Sequence, residues 1–79
     1  MINNAIISSR LEPLLNVMDA RANVEIFIKR ENGSELLRGN KLYNLLADDE
    51  FIGKYRDYSV FGLTVMLGVT TILIGGGEQ

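Results

Sequence analysis

Residues 58–74 read YSVFGLTVMLGVTTILI and contain no charged side chain. Valine, isoleucine and threonine are frequent in this segment, and these β-branched residues are stiff at χ1 and favour a pleated strand over a helix. Gly62 and Gly68 interrupt the segment, and each would cost a helix about 1 kcal/mol relative to alanine. We therefore predict two strands, at about residues 58–66 and 69–74, that meet at Leu67 and Gly68.

Two other interpretations of this segment stay open at the level of sequence. Gly68 is compatible with a bulge inside one long, bent strand, because Leu67-Gly68 is not the strong Asn-Gly turn type. Residues 60–77 are all uncharged, and as a helix they would extend roughly 27 Å, just enough to cross the hydrocarbon core of a bilayer. The helical alternative would make the chain a small tail-anchored membrane protein.

Alternation along the two predicted strands leaves both of their faces apolar. One face of the first strand carries Tyr58, Val60, Thr64 and Met66, and the opposite face carries Phe61, Leu63, Val65 and Leu67. Short helices can cover only one face, and a solvated face of this kind exceeds the apolar patch that is usual for monomers. We therefore predict a small homo-oligomer, with a closed monomeric barrel as the alternative. The predicted interface residues are Phe61, Leu63, Val65, Ile72 and Ile74.

The chain before this segment contains one helical pattern and one hairpin pattern. Leucines recur at helical spacing after Ser9. The predicted helix begins either at Ser9, in a capping box with Glu12, or at Pro13, a residue favoured in the first helical turn. Residues 24–29 alternate between apolar and polar side chains, as a half-buried strand does. Asn32-Gly33 then predicts a hairpin turn, with residues 35–38 as the returning strand.

A second helix is predicted over residues 41–47, with Asn40 as its N-cap. Residues 48–50 follow as a predicted acidic loop. The chain has 79 residues, which is enough for one domain with a small core. We predict a single α+β domain over residues 1–79, with a small antiparallel sheet of about four strands, one or two short helices, and residues 75–79 as a flexible tail. A partly rolled, barrel-like sheet is compatible with this pattern.

The residue types that usually carry catalysis are scarce. The chain has no cysteine and no histidine, so the usual zinc ligands are missing and the serines lack a histidine base. Three consecutive acids at residues 48–50 cannot all point at one ion without an unusual loop. We therefore expect a protein that is not an enzyme, with no catalytic, metal-binding or cofactor-binding residues and no cofactor. The formal net charge of −2 gives no basic surface for nucleic acid.

Charged residues around the hairpin exit and the acidic loop are the predicted contacts for another protein. The two cations in this region suggest a small anion-contacting spot, although a pair of solvated cations explains them as well. If the chain is a monomer, the loops around Asn32-Gly33 and at residues 48–50 become the candidate binding surface. The predicted partner-contact residues are Arg38, Lys41, Asp48, Asp49 and Glu50.

The run VEIFIKRENGSELLRG at residues 24–39, then LYNLLADDEF at residues 42–51 and a closing β-rich segment, resembles short proteins of bacteriophages and prophages. The resemblance covers residues 23–74. It implies a cytoplasmic accessory protein that binds a host or phage protein and has no assigned catalytic residues. The absence of cysteine agrees with a reducing compartment. The alternatives are a structural or assembly component and the tail-anchored protein described above.

Overall fold

The computed structural model describes residues 10–75, which form three short helices and four strands. In chain order these are α1 (Leu11–Asn16), β1 (Asn23–Arg30), β2 (Gly33–Lys41), α2 (Leu42–Ala47), α3 (Asp49–Tyr55), β3 (Ser59–Met66) and β4 (Val69–Gly75). The predicted α+β class and the four strands are confirmed. The helices number three in the described part of the chain, where the sequence predicted one or two.

The four strands form one open sheet in the order β2-β1-β4-β3. Two antiparallel hairpins, β1–β2 and β3–β4, are joined by a central parallel pair, β1–β4. A parallel pair needs a long crossover connection, and here α2 and α3 lie between the hairpins along the chain. The sheet is therefore mixed rather than antiparallel throughout, and it is not closed into a barrel.

The core lies on one face of the sheet. Val24, Ile26 and Ile28 alternate along β1 and are buried, and Ile26 lies beside Ile72 in the parallel pair. The helices pack their apolar side chains against this face, which matches the alternation predicted for β1. The buried core residues are Leu11, Leu15, Val24, Ile26, Ile28, Leu42, Leu45, Phe51, Ile52, Val60, Ile72 and Ile74.

Both hairpins close with a two-residue turn. Leu67 and Gly68 have φ values of 53° and 80°, and two consecutive positive φ values are the mark of the type I′ turn. The prediction of two strands that meet at these residues is therefore confirmed, and the single bent strand is wrong. In the first hairpin the turn is Glu31-Asn32, one residue before the predicted Asn-Gly, and Gly33 already pairs with Arg30.

The first two helices begin at residues other than those predicted. Helix α1 begins at Leu11 with Arg10 as its N-cap, so the start at Pro13 is wrong, and Ser9 lies outside the described residues. Helix α2 has Lys41 as its N-cap, with no side-chain cap. Asn40 instead accepts hydrogen bonds at Oδ1 from the Lys41 backbone N–H (2.7 Å) and from Asn44 Nδ2 (2.9 Å).

The predicted acidic loop is wrong, because its residues begin helix α3. The Asp48 side chain caps this helix by accepting a hydrogen bond at Oδ1 from the Phe51 backbone N–H, at 3.1 Å. Asp49 and Glu50 occupy the first turn, where negative charge is favourable to the helix dipole. Aspartate followed by apolar residues at helical spacing is the usual start signal, and Phe51, Ile52 and Tyr55 provide that spacing.

A bulge near the start of β3 changes which residues share a face. Val60 pairs with Ile74, but Gly62 pairs with Leu73, so Phe61 is the extra residue. As a result, Leu63 and Val65 lie on the same side as Val60, the side of the helices, contrary to the predicted alternation. The Phe61 ring lies on the open side over Gly75, where a Cβ would come within 3.0 Å of the ring.

Candidate binding surface at the β3 edge

The outer side of β3 has a neighbour only at its start in the part of the chain that the structure describes. Arg10 forms an isolated antiparallel bridge with Ser59, and the Leu11 N–H donates to the Tyr58 carbonyl at 3.0 Å. Beyond that bridge, β3 is an edge strand of the described sheet. A free edge presents unpaired N–H and C=O groups that can pair with another chain.

Large apolar side chains are concentrated on this edge. Five of the eight exposed large hydrophobic residues in the described chain lie within seven consecutive positions, residues 61–67. We call these five residues the apolar edge: Phe61 (54% exposed), Leu63 (47%), Val65 (64%), Met66 (65%) and Leu67 (96%). A concentration of exposed apolar side chains of this kind is uncommon on monomeric soluble proteins and often marks a contact surface.

The apolar edge includes side chains from both faces of the strand. Leu63 lies beside Ile72 and Val65 beside Thr70, so both point to the helix side, at the part of β3 that the helices leave exposed. Met66 points to the open side, as does Phe61 through the bulge. No charged residue occurs anywhere in β3, its turn or β4. Contact with another molecule could therefore bury both faces without desolvating a charge.

The open face of the sheet continues the apolar surface toward the first hairpin. Phe27 lies between Leu36 on β2 and Leu73 on β4. Phe27 and Leu73 are half-buried, and Leu36 is exposed. Glu25 and Lys29 flank Phe27 on the same face of β1. This open face is thus more polar and less exposed than the apolar edge beside it.

Leu67 is the least expected residue of this surface. At φ 53° it occupies the left-handed region, which costs a residue with a side chain roughly 1–2 kcal/mol. Asparagine and glycine are the residues that type I′ turns favour at this position. Leu67 is nevertheless a large apolar side chain, and it packs against almost nothing in the described chain. Neither local conformation nor packing explains a leucine here.

The structure divides the five predicted interface residues into two groups. Phe61, Leu63 and Val65 belong to the apolar edge. Ile72 and Ile74 are fully buried in the core of the single chain, because the helices cover that face of β4. The prediction did not include Met66 and Leu67, although the absence of charge on both sides of the Leu67-Gly68 turn was a signal for them.

The predicted partner-contact residues do not form one group. Arg38 lies opposite Ile26, on the helix side of β2, while Lys41 lies opposite Asn23 and points to the open side. The two cations therefore do not combine into an anion site. Arg38 Nη2 is 3.3 Å from Asp48 Oδ2, and the Arg38 guanidinium lies 5.2 Å from the centre of the Phe51 ring.

A shallow depression lies beside this ion pair. Its lining includes Arg38, Glu50 and Lys54 as the charged groups, with Leu37, Phe51 and Tyr55 as the apolar ones. The charged groups have mixed signs, and Arg38 is already paired with Asp48. Asp49, although exposed, does not line the depression. The depression is polar surface with structural ion pairing, and its geometry assigns no ligand.

Two further findings concern metal binding and membrane insertion. Within residues 10–75, no group of three or more histidine, cysteine, aspartate or glutamate side chains is placed to bind a metal ion. None of the helices in that range is both long enough and apolar enough to cross a membrane. The helical anchor proposed for residues 60–77 is wrong for residues 60–75, since these form β3, the turn and β4.

Comparisons with protein-family models, with curated proteins and with solved structures found no match to this chain.

Proposed function

We propose that the protein is a non-enzymatic binding protein that works through protein–protein contacts as a small homo-oligomer, with the apolar edge as its contact surface. The observation that carries the proposal is Leu67, a leucine almost fully exposed at a positive φ. Such a residue destabilises an isolated chain through strain and gains nothing from burial. Burial of the leucine side chain against a second molecule would offset the cost of this backbone strain.

The energetics support a contact of ordinary size. Burying an exposed leucine contributes about 1.5–3 kcal/mol, enough to offset the cost of its backbone conformation. A standard interface buries roughly 800 Å² on each partner, and the five exposed side chains of the apolar edge would contribute apolar surface to it.

A second candidate function, a structural or assembly component, is favoured by the open face itself. After the apolar edge is covered, Phe27, Leu36 and Leu73 remain on a neighbouring surface. Stacking of two sheets through such faces is common in proteins. An assembly component would therefore continue beyond a small oligomer.

The resemblance to phage and prophage proteins supports an accessory role in the cytoplasm, directed at a host or phage protein. In the proposed oligomer, the charged surface around Arg38, Asp48 and Glu50 lies on the first hairpin and α3, away from the apolar edge. This surface stays accessible to such a partner.

Light scattering on a sizing column, over a range of concentrations and without detergent, tests the proposal. We expect the wild-type chain to run at a multiple of 8.8 kDa and Val65→Lys to run at the monomer mass. Leu36→Lys is the matched control, because it adds the same charge to a half-exposed apolar residue outside the apolar edge. Circular dichroism confirms that both variants are folded.

Three outcomes are informative. A wild-type chain that is a monomer at every concentration contradicts the proposal. Equal dissociation of Val65→Lys and Leu36→Lys would move the interface to the open face. A mass that grows steadily with concentration would favour the assembly component over the small oligomer.

A further inference from the structure

We infer that the partner on the apolar edge is a second copy of this chain, which pairs edge to edge with β3 in antiparallel orientation about a twofold axis at Thr64. The two four-stranded sheets would then form one continuous sheet of eight strands. This inference rests on the proposed self-association and specifies its geometry.

The first step is the direction of the backbone groups in β3. In a hairpin closed by a two-residue turn, the residues that flank the turn exchange both hydrogen bonds, and the pattern alternates from there. Met66 pairs with Val69 beside the turn, and Thr64 pairs with Thr71. Thr64 therefore directs its N–H and C=O toward β4, while Leu63 and Val65 direct theirs to the free edge.

The second step is the length of regular edge. The bridge between Arg10 and Ser59 covers the start of β3, and the bulge at Phe61 interrupts the alternation. Within the described residues, the regular part of β3 that has no neighbouring strand on its outer side is thus residues 62–66. When a strand of five residues pairs with itself about a twofold axis, its middle residue lies on the axis, and that residue is Thr64.

The third step is the side chains that this register brings together. Directly opposite residues of an antiparallel pair lie on the same face. On the helix side, Leu63 lies opposite Val65 of the second copy, and this contact occurs twice. On the open side, Met66 lies opposite Gly62 of the second copy, which leaves room for the long side chain. Leu63 and Val65 are also the residues whose backbone groups are free, so each of these pairs is hydrogen-bonded.

The exposure pattern favours edge pairing over face-to-face stacking. Stacking on the open face would cover Phe61 and Met66 but leave Leu63 and Val65 in water, because they point to the helix side. Edge pairing covers side chains on both faces at once. It also brings no like charges together, since β3 has none, and like charges directly opposite each other are destabilising.

The other edge strand is protected against the same pairing. β2 carries charged residues at Glu35, Arg38 and Lys41 and a bulge at Leu37. Charges and bulges on an edge strand are devices that prevent pairing with another chain. Among residues 10–75, one edge strand is thus suited to pairing with another chain and the other is protected against it, which limits edge pairing to a dimer.

A single cysteine tests the register. The chain has no cysteine, so Thr64→Cys introduces the only thiol. Thr64 would form a pair without backbone hydrogen bonds, whose Cα atoms are about 4.5 Å apart, inside the range in which disulfides form. We expect mild oxidation to convert most of the Thr64→Cys chain to a disulfide-linked dimer. Ser34→Cys is the matched control, an exposed small residue of β2, and it should remain mostly unlinked.

Two proline substitutions test which backbone N–H groups of β3 point toward the second copy. Val65→Pro removes an N–H that would bond only to the second copy, and proline is tolerated on edge strands at such positions. We expect this variant to keep its circular dichroism spectrum and lose the dimer mass. Thr64→Pro removes an N–H that bonds to β4, so it should lose the hairpin itself.

The outcomes separate this inference from the proposed function. A wild-type dimer without the Thr64→Cys crosslink overturns the edge pairing and leaves self-association standing. A wild-type monomer at every concentration overturns both. A monomer whose Leu63 and Val65 amides are protected from hydrogen exchange would place a segment of the same chain on the edge, which also overturns the pairing with a second copy.

Discussion

The two hairpins of the sheet share the same backbone arrangement but differ in their side chains, several of which are charged in the first hairpin and none in the second. Each has a two-residue turn, one bulge and one edge strand. The first hairpin has charges around its turn, and Arg30 Nε lies 2.9 Å from Glu35 Oε1. The second hairpin has no charge from Ser59 to Gly75. Because the first hairpin forms with a polar turn and polar edge, the hairpin fold alone does not require an apolar one.

The difference is largest at the turns. The first turn, Glu31-Asn32, is polar, and Gly33 follows with φ 133°. In the second turn a leucine occupies a positive φ position that asparagine would fill at lower cost. The comparison therefore supports the binding role that we propose for the apolar edge, and each prediction below alters one part of the second hairpin or its neighbours.

The largest predicted difference in folding stability is between alanine substitutions of two residues that pair across β3 and β4. Ile72 is fully buried, whereas its neighbour Leu63 is half-exposed. Ile72→Ala should destabilise the fold by about 2–5 kcal/mol, through lost burial and the cavity left behind. In the monomer, Leu63→Ala should cost only about 1 kcal/mol, because about half of its side chain is already in water. Urea unfolding at a concentration low enough for both variants to be monomers measures both changes, and equal losses would contradict the placement of Leu63 at the edge of the monomer's sheet.

An intermediate effect concerns the connection between the hairpins. Asp48 caps α3 and contacts Arg38 on the first hairpin. Asp48→Ala should cost about 1 kcal/mol, mainly from the lost cap, since a half-exposed ion pair contributes little. Asp49→Ala is the control and should stay within about 0.5 kcal/mol. Thermal unfolding followed by circular dichroism distinguishes them, and an unchanged Asp48→Ala would show that the cap is not formed in solution.

The smallest predicted change in folding stability is a gain rather than a loss. Leu67→Asn creates the Asn-Gly pair that type I′ turns favour, so we expect it to stabilise the monomer by about 0.5–1 kcal/mol. The same change removes an apolar side chain from the apolar edge, so it should weaken self-association. Unfolding at low concentration and sizing at high concentration measure the two changes. The control is Asn32→Leu in the first turn. Its φ is not positive, so no relief of strain is expected, and it lies outside the apolar edge, so no change in association is expected. Undiminished association of Leu67→Asn would remove Leu67 from the interface.

Much of the local structure could be predicted because its causes are local. β-branched residues and strict alternation indicated the strands, and the place where the second hairpin turns was predicted at Leu67-Gly68. The α3 helix was missed because three adjacent acids read as a solvated loop, although Asp48 is an ordinary N-cap. Of the candidate site, Phe61, Leu63 and Val65 were predicted, while Met66 and Leu67 were not.

The sequence by itself determined the strands, the turns and the surplus of apolar side chains in residues 58–74, since backbone preference and charge depend on neighbouring residues. Tertiary structure decided the parallel pairing of β1 with β4, which joins segments far apart in the chain. It also decided which apolar residues are buried. Both faces of β4 are apolar, so only the packing of the helices could make Ile72 and Ile74 core residues. The bulge at Phe61 then placed Leu63 and Val65 on the helix side, beyond the reach of the helices, where they lie exposed at the edge of the described sheet.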